Sequence, residues 1–233
     1  MPPDDDRRVY YDHEPAYRQL AARGGTGWDD WKPEVEHDSY GDLERFLASP
    51  LCPAARGARA LDLGCGGGQA GFCAARRGFA LTGIDYSETA VALARDNAAR
   101  LGIAAHFVRG DCLALQGIAD AGFDLVIDNH VLHCVIEPAH RVQLLTSVRR
   151  VLNPDGVLFS ATMSAELPLD WEAMGVDPVT RVDGRRTRFW VLRAELEREL
   201  AAAGLEVLEM LGTGATEDDP VGDLLTVARP ARP

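Results

Sequence analysis

The loop "DLGCGGGQAG", residues 62–71, constrains this chain more than any other stretch. It follows the apolar run "RALDLG" and opens a helical pattern over about 69–77. Glycines at such a turn let the backbone approach a ligand closely, and the helix behind them presents free N–H groups. The same strand-to-helix unit then recurs. "ALTGID" reads as a second strand, followed by the helical "SETAVALARDNAARLG" with Ser87 as N-cap and Gly102 as C-cap. "AAHFVRGD" is a third strand, and "FDLVIDN", apolar on both faces, has the character of a central parallel strand. A helix over about 138–152 stops at "NPDG", and "GVLFSATM" is the fifth strand. After an irregular segment, "LRAELERELAAAG" is a helix with Gly204 at its end. The strands "LEVLEMLGT" and "LLTVARP" bracket the acidic loop "GATEDDPVGD".

Strands alternating with helices predict an α/β fold: a doubly wound, mostly parallel, Rossmann-like sheet of seven strands. Ligands of such sheets bind outside the carboxyl ends of the strands at the switch point, where the glycine loop lies. The first 55 residues differ, with two short helices, "EPAYRQLAARGG" and "SYGDLERFLAS", joined by the turn-rich "GTGWDDWKP". The expected division is a helical cap, 1–55, on the ligand edge of a core, 56–233. Tyr10, Tyr11, Tyr17, Trp28 and Trp31 give that cap the aromatic content of a lid.

The totals exclude several functions. A formal charge of −12 disfavours a nucleic-acid backbone or an anionic membrane as partner. Five cysteines without a C-x-x-C pattern predict neither a disulfide framework nor a zinc ribbon. The acidic start "MPPDDDRRVYYDHEP" does not read as a signal peptide, and no apolar run is long enough to span a bilayer. A cytoplasmic location follows as the expectation. Lys32 is the only lysine, which removes a Schiff base or a Walker A loop from the candidates.

The glycine loop fits two registers. Gly66, Gly68 and Gly71 make G-x-G-x-x-G, and Asp85 follows Gly66 by 19 residues, as the ribose-binding acid of a nicotinamide-dependent oxidoreductase would. Asp62, Gly64, Gly66 and Gly68 make acid-x-Gly-x-Gly-x-Gly instead. The further segments are "GIDYS", "GDCLAL", "FDLVIDNHVLHCV" and "RRVLNPDGVLF". Together with the second register they resemble the class I S-adenosylmethionine-dependent methyltransferases. The resemblance covers residues 58–163 well and the last 45 loosely; Asp155 departs from the family's Leu-x-Pro-Gly-Gly turn. It implies S-adenosylmethionine as cofactor, bound by Asp62, Gly64, Cys65, Gly66 and Gly68 in the loop. Asp85, with Tyr86 beside it, would hold the ribose hydroxyls. Asp111, with Cys112 beside it, would meet the adenine amino group. Asp128 and Asn129 would lie at the end of strand four, next to the transferring methyl.

Beyond Asn129 the chain sets His130, His133, Cys134, Glu137 and His140 within eleven positions. His130 is the candidate catalytic base, because an imidazole titrates near neutrality. His133 matches the family's Leu-His pair and is a candidate substrate-side or structural residue. Pro138 breaks the turn before His140, and "SATMSAE" after strand five lacks the Asp-Asn pair of metal-dependent catechol-type members, so no metal is expected. Specificity is expected in the cap, through Trp28, and in 164–191, where Trp171, Met174, Phe189 and Trp190 are pocket candidates. In "DGRRTRFW", read as extended, Arg186 and Arg188 share a face and are candidates for gripping an anionic acceptor. No Asn-Pro-Pro-Tyr type motif follows strand four, which argues for a small molecule over adenine in nucleic acid. Besides the oxidoreductase, the alternative is a non-catalytic, cofactor-binding regulator on the same fold.

Overall fold

The computed structural model describes residues 12–27, 40–214 and 222–232. Seven strands form one sheet in the order β3-β2-β1-β4-β5-β7-β6. They are β1 Arg59–Leu63, β2 Ala80–Asp85, β3 Ala105–Arg109, β4 Phe123–Asn129, β5 Leu152–Met163, β6 Leu205–Gly212 and β7 Asp223–Pro230. The first five run parallel, and β7 enters antiparallel between β5 and β6. The order reverses between β1 and β4, so Leu63 and Asn129 flank the switch point.

Helices α3 Gln69–Arg76, α4 Glu88–Leu101, α5 Pro138–Val151 and α6 Arg193–Ala202 cover the faces. Local chemistry sets their ends. The Ser87 hydroxyl accepts the Ala90 N–H at 2.9 Å to open α4, and Gly102 closes it in the left-handed region, both as the sequence predicts. Pro138 begins α5, where its missing N–H costs nothing. "NPDG" is not a loop: α5 passes directly into β5 at Leu152, and the misfit is absorbed by a register shift between Phe123 and Leu125 on β4. Asn153 donates to Asp124 at 2.7 Å across that irregularity.

The two N-terminal helices, α1 Glu14–Ala22 and α2 Gly41–Leu47, sit differently. Helix α2 shares the sheet's core: Phe46 stacks on Phe159 with ring centroids 4.9 Å apart. Helix α1 lies over the start of α4, where Tyr17 and Leu20 pack on Ala90. Glu14 anchors it, accepting from the Ser87 hydroxyl at 2.5 Å and the Thr89 hydroxyl at 2.7 Å. Burial opposes the charge on Glu14, but these bonds and Arg18 outweigh it and hold its pKa down to about 2. Trp28 and Trp31, like Tyr10 and Tyr11, lie outside the described residues. Among those residues no helix is long and apolar enough to cross a membrane.

Candidate functional site

A cavity of about 470 Å³ opens at the switch point, under α1. Its first end is main chain. At Gly66 the backbone is left-handed (φ +52°), and an added Cβ would stand 2.5 Å from the Tyr17 hydroxyl. Asn97 of α4 ties the segment after α1 to this loop, donating to the carbonyls of Thr26 at 2.8 Å and Gly67 at 2.9 Å. Asp85 ends β2 beside the loop. Its Oδ2 accepts the Gly66 N–H at 2.9 Å and its Oδ1 the Ser87 N–H at 2.8 Å. Burial raises the Asp85 pKa against those bonds, and Glu14 raises it further. Asp62 accepts the Gly71 N–H at 3.0 Å; burial, with Asp85 and Asp128 nearby, pushes its pKa up to about 8.

The other end is built of side chains. Asp128 closes the turn after β4, accepting from Ser160 Oγ at 2.6 Å and from the N–H groups of Val131 and Leu132 at 2.9 and 3.1 Å. That turn carries His130 in the left-handed region (φ 69°), rare for a residue with a Cβ. The His130 Nε2 lies 3.2 Å from Asp223 Oδ2 at the start of β7. His133 follows on a 3-10 turn, Leu132–Cys134, with its ring edge-on to His130 at 5.3 Å between centroids. It is buried, and its Nδ1 has no hydrogen-bond partner among the described residues. Burial, with His130, Arg188 and His13 close by, drives its pKa well below the ordinary value. His133 is therefore a neutral imidazole.

Of the loop residues named from sequence, Asp62, Gly64, Cys65 and Gly66 line the cavity, as do Asp85, Tyr86 and Cys112. Gly68 instead caps α3, and Asp111 turns its carboxylate to the Leu113 N–H at 2.8 Å. At the second end Asn129, His130, His133 and Arg188 reach the cavity; Asp128 does not, its carboxylate being committed to the turn. The thiols of Cys65, Cys112 and Cys134 are raised by burial, to about 11 for Cys134, so none is a thiolate at neutral pH. Among the described residues no group of three His, Cys, Asp or Glu side chains is disposed to hold a metal ion.

The segment "DGRRTRFW" is not extended. Asp183 draws it into a turn, accepting the N–H groups of Thr187 and Arg188 at 2.5 and 2.7 Å, and Arg186 takes up φ 55°. The turn separates the two arginines: Arg188 lines the cavity, while Arg186 is exposed and pairs with Glu137 at 3.1 Å. Trp171, Met174, Phe189 and Trp190 do not line the cavity. Phe189 packs under the Arg141 guanidinium at 3.9 Å, and Arg141 is itself buried against Glu199 at 2.6 Å. Trp190 meets Trp171 edge-on. These residues brace the wall that carries Arg188, whose neighbour Phe189 donates its N–H to the His133 carbonyl at 2.9 Å.

Sequence reasoning overlooked His13 and Tyr40, both cavity-lining, and Asp223. His13 stands one residue before α1 in "DHEP", a signal visible only once that helix is placed over the loop. Asp223 gave no signal, since it meets His130 only through the antiparallel entry of β7.

A sequence model described as a methyltransferase domain matches residues 54–188. The ubiquinone biosynthesis O-methyltransferase of Sinorhizobium fredii is 31% identical over 176 residues, covering 72% of this chain and 68% of that protein. The enzyme of the same name from Azorhizobium caulinodans is 30% identical over 163 residues, covering 67% of this chain and 62% of that one. The match to the latter thus spans less than two thirds of the relative's length. Among solved structures, the CcbJ methyltransferase of Streptomyces caelestis superposes with a TM-score of 0.71 over 95% of this chain and all of that one, at 20% identity, a likeness of fold.

Proposed function

We propose, since this chain belongs to the methyltransferase-domain family, that it transfers a methyl group from S-adenosylmethionine to an oxygen of a small, anionic acceptor. The observation that carries this reading is that one cavity joins the glycine loop and Asp85 to His130, His133 and Arg188. Its volume suits a nucleoside-sized ligand with a small acceptor. The cradle fits the group: the Asp85 carboxylate, which lines the cavity, suits a ribose diol, and the bare backbone at Gly66 admits a ligand that a Cβ would exclude. S-adenosylmethionine, when bound, supplies a methyl already activated on a sulfonium sulfur. The protein's own task is then to hold the acceptor in line, exclude water and receive a proton. Tyr17 and α1 cover the loop end, and His130 receives the proton. Arg188 anchors the acceptor's charge, for among the described residues no carboxylate pairs with its guanidinium. Oxygen as the acceptor atom rests on the names of the two relatives. Five unpaired cysteines fit a reducing, cytoplasmic setting.

The sheet order speaks against the oxidoreductase. Dinucleotide folds of this kind run 3-2-1-4-5-6, whereas here an antiparallel β7 separates β5 from β6. Calorimetry with S-adenosylmethionine, S-adenosylhomocysteine and NADH tests the reading. Heat with the first two and none with NADH is expected; the reverse would overturn it. Formation of S-adenosylhomocysteine against a panel of hydroxylated acids and their neutral esters then separates an enzyme from a binding regulator. Arg188→Ala should raise KM for the acids alone, and Arg186→Ala should leave both series unchanged.

A further inference from the structure

We infer that Arg141, which does not itself line the cavity, is the positioning residue that sets Arg188 against the His133 turn, and so fixes how the acceptor end receives a charged ligand. The Arg141 side chain is buried in α5, and all three of its nitrogens are committed. Its Nε reaches the two Glu199 oxygens at 3.1 and 3.0 Å, and its Nη2 donates to Glu199 Oε1 at 2.6 Å. Its Nη1 donates to the carbonyls of Val135 at 3.2 Å and Ile136 at 2.5 Å, where the chain leaves the 3-10 turn. Its Cζ stands over the Phe189 ring, 3.9 Å from the centroid. One planar group therefore joins three segments distant in sequence: the turn that carries His133, helix α6, and the stretch that carries Arg188 and Phe189.

Stability alone does not call for an ion pair here. Burying the pair strips water from both ions, and apolar residues of like volume commonly hold such a place as well. What a guanidinium adds is direction, because its N–H groups lie in one plane at fixed angles. Direction matters beside the cavity. Phe189 donates its N–H to the His133 carbonyl at 2.9 Å, and it follows Arg188, whose Nη1 lies 3.8 Å from Cys134 Sγ on the same turn. Asp183 holds the Arg188 main chain, accepting its N–H at 2.7 Å and donating to its carbonyl at 3.2 Å. Without Arg141, the turn and the Arg188 stretch keep the Phe189–His133 bond but lose the common reference that orients them. A second guanidinium still ties the stretch to α6. Arg181 stands 5.5 Å from the same Phe189 ring, pairs with Glu195 at 2.6 Å and donates to the Trp190 carbonyl at 3.0 Å. Loss of Arg141 should therefore spare the fold and shift the reach of Arg188. That the ligand is a methyl acceptor rests on the methyl-transfer reading; the arrangement of Arg141, Phe189 and Arg188 does not.

Cys134 supplies the reporter, since it lines the cavity beside Arg188. Its alkylation in the full chain by iodoacetate and by iodoacetamide, at mildly alkaline pH and read by peptide mass spectrometry, needs no substrate. The ratio of the two rates cancels the thiolate fraction common to both reagents and reports the cation beside the thiol. Arg188→Ala should lower the preference for iodoacetate about two- to fivefold, the scale of one partly solvated ion pair. Arg141→Met should lower it as far, and the two changes combined should go no further than Arg188→Ala alone. An Arg141 that served stability only would lower Tm and leave the ratio native; that result in a folded Arg141→Met overturns the inference. A native ratio equal to that of Arg188→Ala, or a native Cys134 closed to both reagents, overturns it as well. Should Arg141→Met fail to fold, Glu199→Gln, which keeps the volume and one acceptor, decides: an intermediate ratio supports the inference and a native one overturns it. A chain that showed no heat with S-adenosylmethionine yet gave the expected ratios would lose the methyl-transfer reading and keep the Arg141 assignment. Heat with S-adenosylmethionine and an unmoved ratio would do the reverse.

Discussion

The loop end of the cavity takes its residues from 62–112, the ends of three strands that are consecutive in sequence and adjacent in the sheet. The histidine end takes His13 from before α1, His130 and His133 from after β4, Met163 from the end of β5, and Arg188 from a turn. Asp223 joins it from β7. The first end is a glycine turn with the Asp85 carboxylate beside it, which local rules of strand, glycine turn and helix suffice to place. The second end is built of side chains whose meeting depends on tertiary packing. A ligand common to a family suits the first kind of construction and a varying acceptor the second.

The sharpest way to break this comparison is to remove what spans both ends. Deleting residues 1–40 takes away Tyr17 over Gly66, His13 beside His133 and the Glu14 anchor, while leaving α2 in the sheet's core. Turnover should vanish while far-ultraviolet circular dichroism still reports the α/β sheet. Full-rate turnover by the truncated chain would reduce the cap to packing.

A crossed pair of substitutions separates the ends themselves. His130→Ala should lower kcat by roughly 10²–10⁴ with calorimetric affinity for S-adenosylmethionine unchanged. Asp85→Ala should do the opposite, weakening that affinity by about 1–3 kcal/mol through loss of a charge-assisted pair of hydrogen bonds. If each substitution moved both quantities equally, the two ends would be one indivisible site.

The same division explains what could be read in advance. Strand and helix identities followed from period and caps, as at Ser87 and Gly102, because those signals lie within a few residues. The placement of the loop and Asp85 at the switch point was legible for the same reason. The error at "DGRRTRFW" arose because an Asp183 side chain, rather than an apolar alternation, dictates the backbone there. Phe189 and Trp190 read as pocket aromatics because burial beneath Arg141 or against Trp171 leaves no mark in the local pattern. The pairing of His130 with Asp223, 93 positions away, is a property of strand order alone.

Asp62 offers the smallest and most discriminating measurement, because at the loop end binding and stability should conflict. Its carboxyl is wholly buried, and one N–H, from Gly71, does not offset the loss of water or the proximity of Asp85 and Asp128. The folded pKa is about 8 against 3.8 for the ordinary group. A raised pKa means that the folded state holds a proton the unfolded chain releases. The stability this group allows is therefore complete below about pH 4 and falls as pH rises to about 8. Asp62→Asn keeps an acceptor for Gly71 and removes the titration. It should raise Tm by several degrees at pH 8, at roughly 2–4 °C per kcal/mol, and by progressively less toward pH 4. Above about pH 8 the same variant should bind S-adenosylmethionine more weakly, since there an amide lacks the negative charge that the ionised carboxylate offers a cationic ligand. A stabilised variant that also bound at full strength would show that Asp62 serves the loop's architecture only. A variant with the native pH dependence of Tm would show that the buried carboxyl is not the group that titrates.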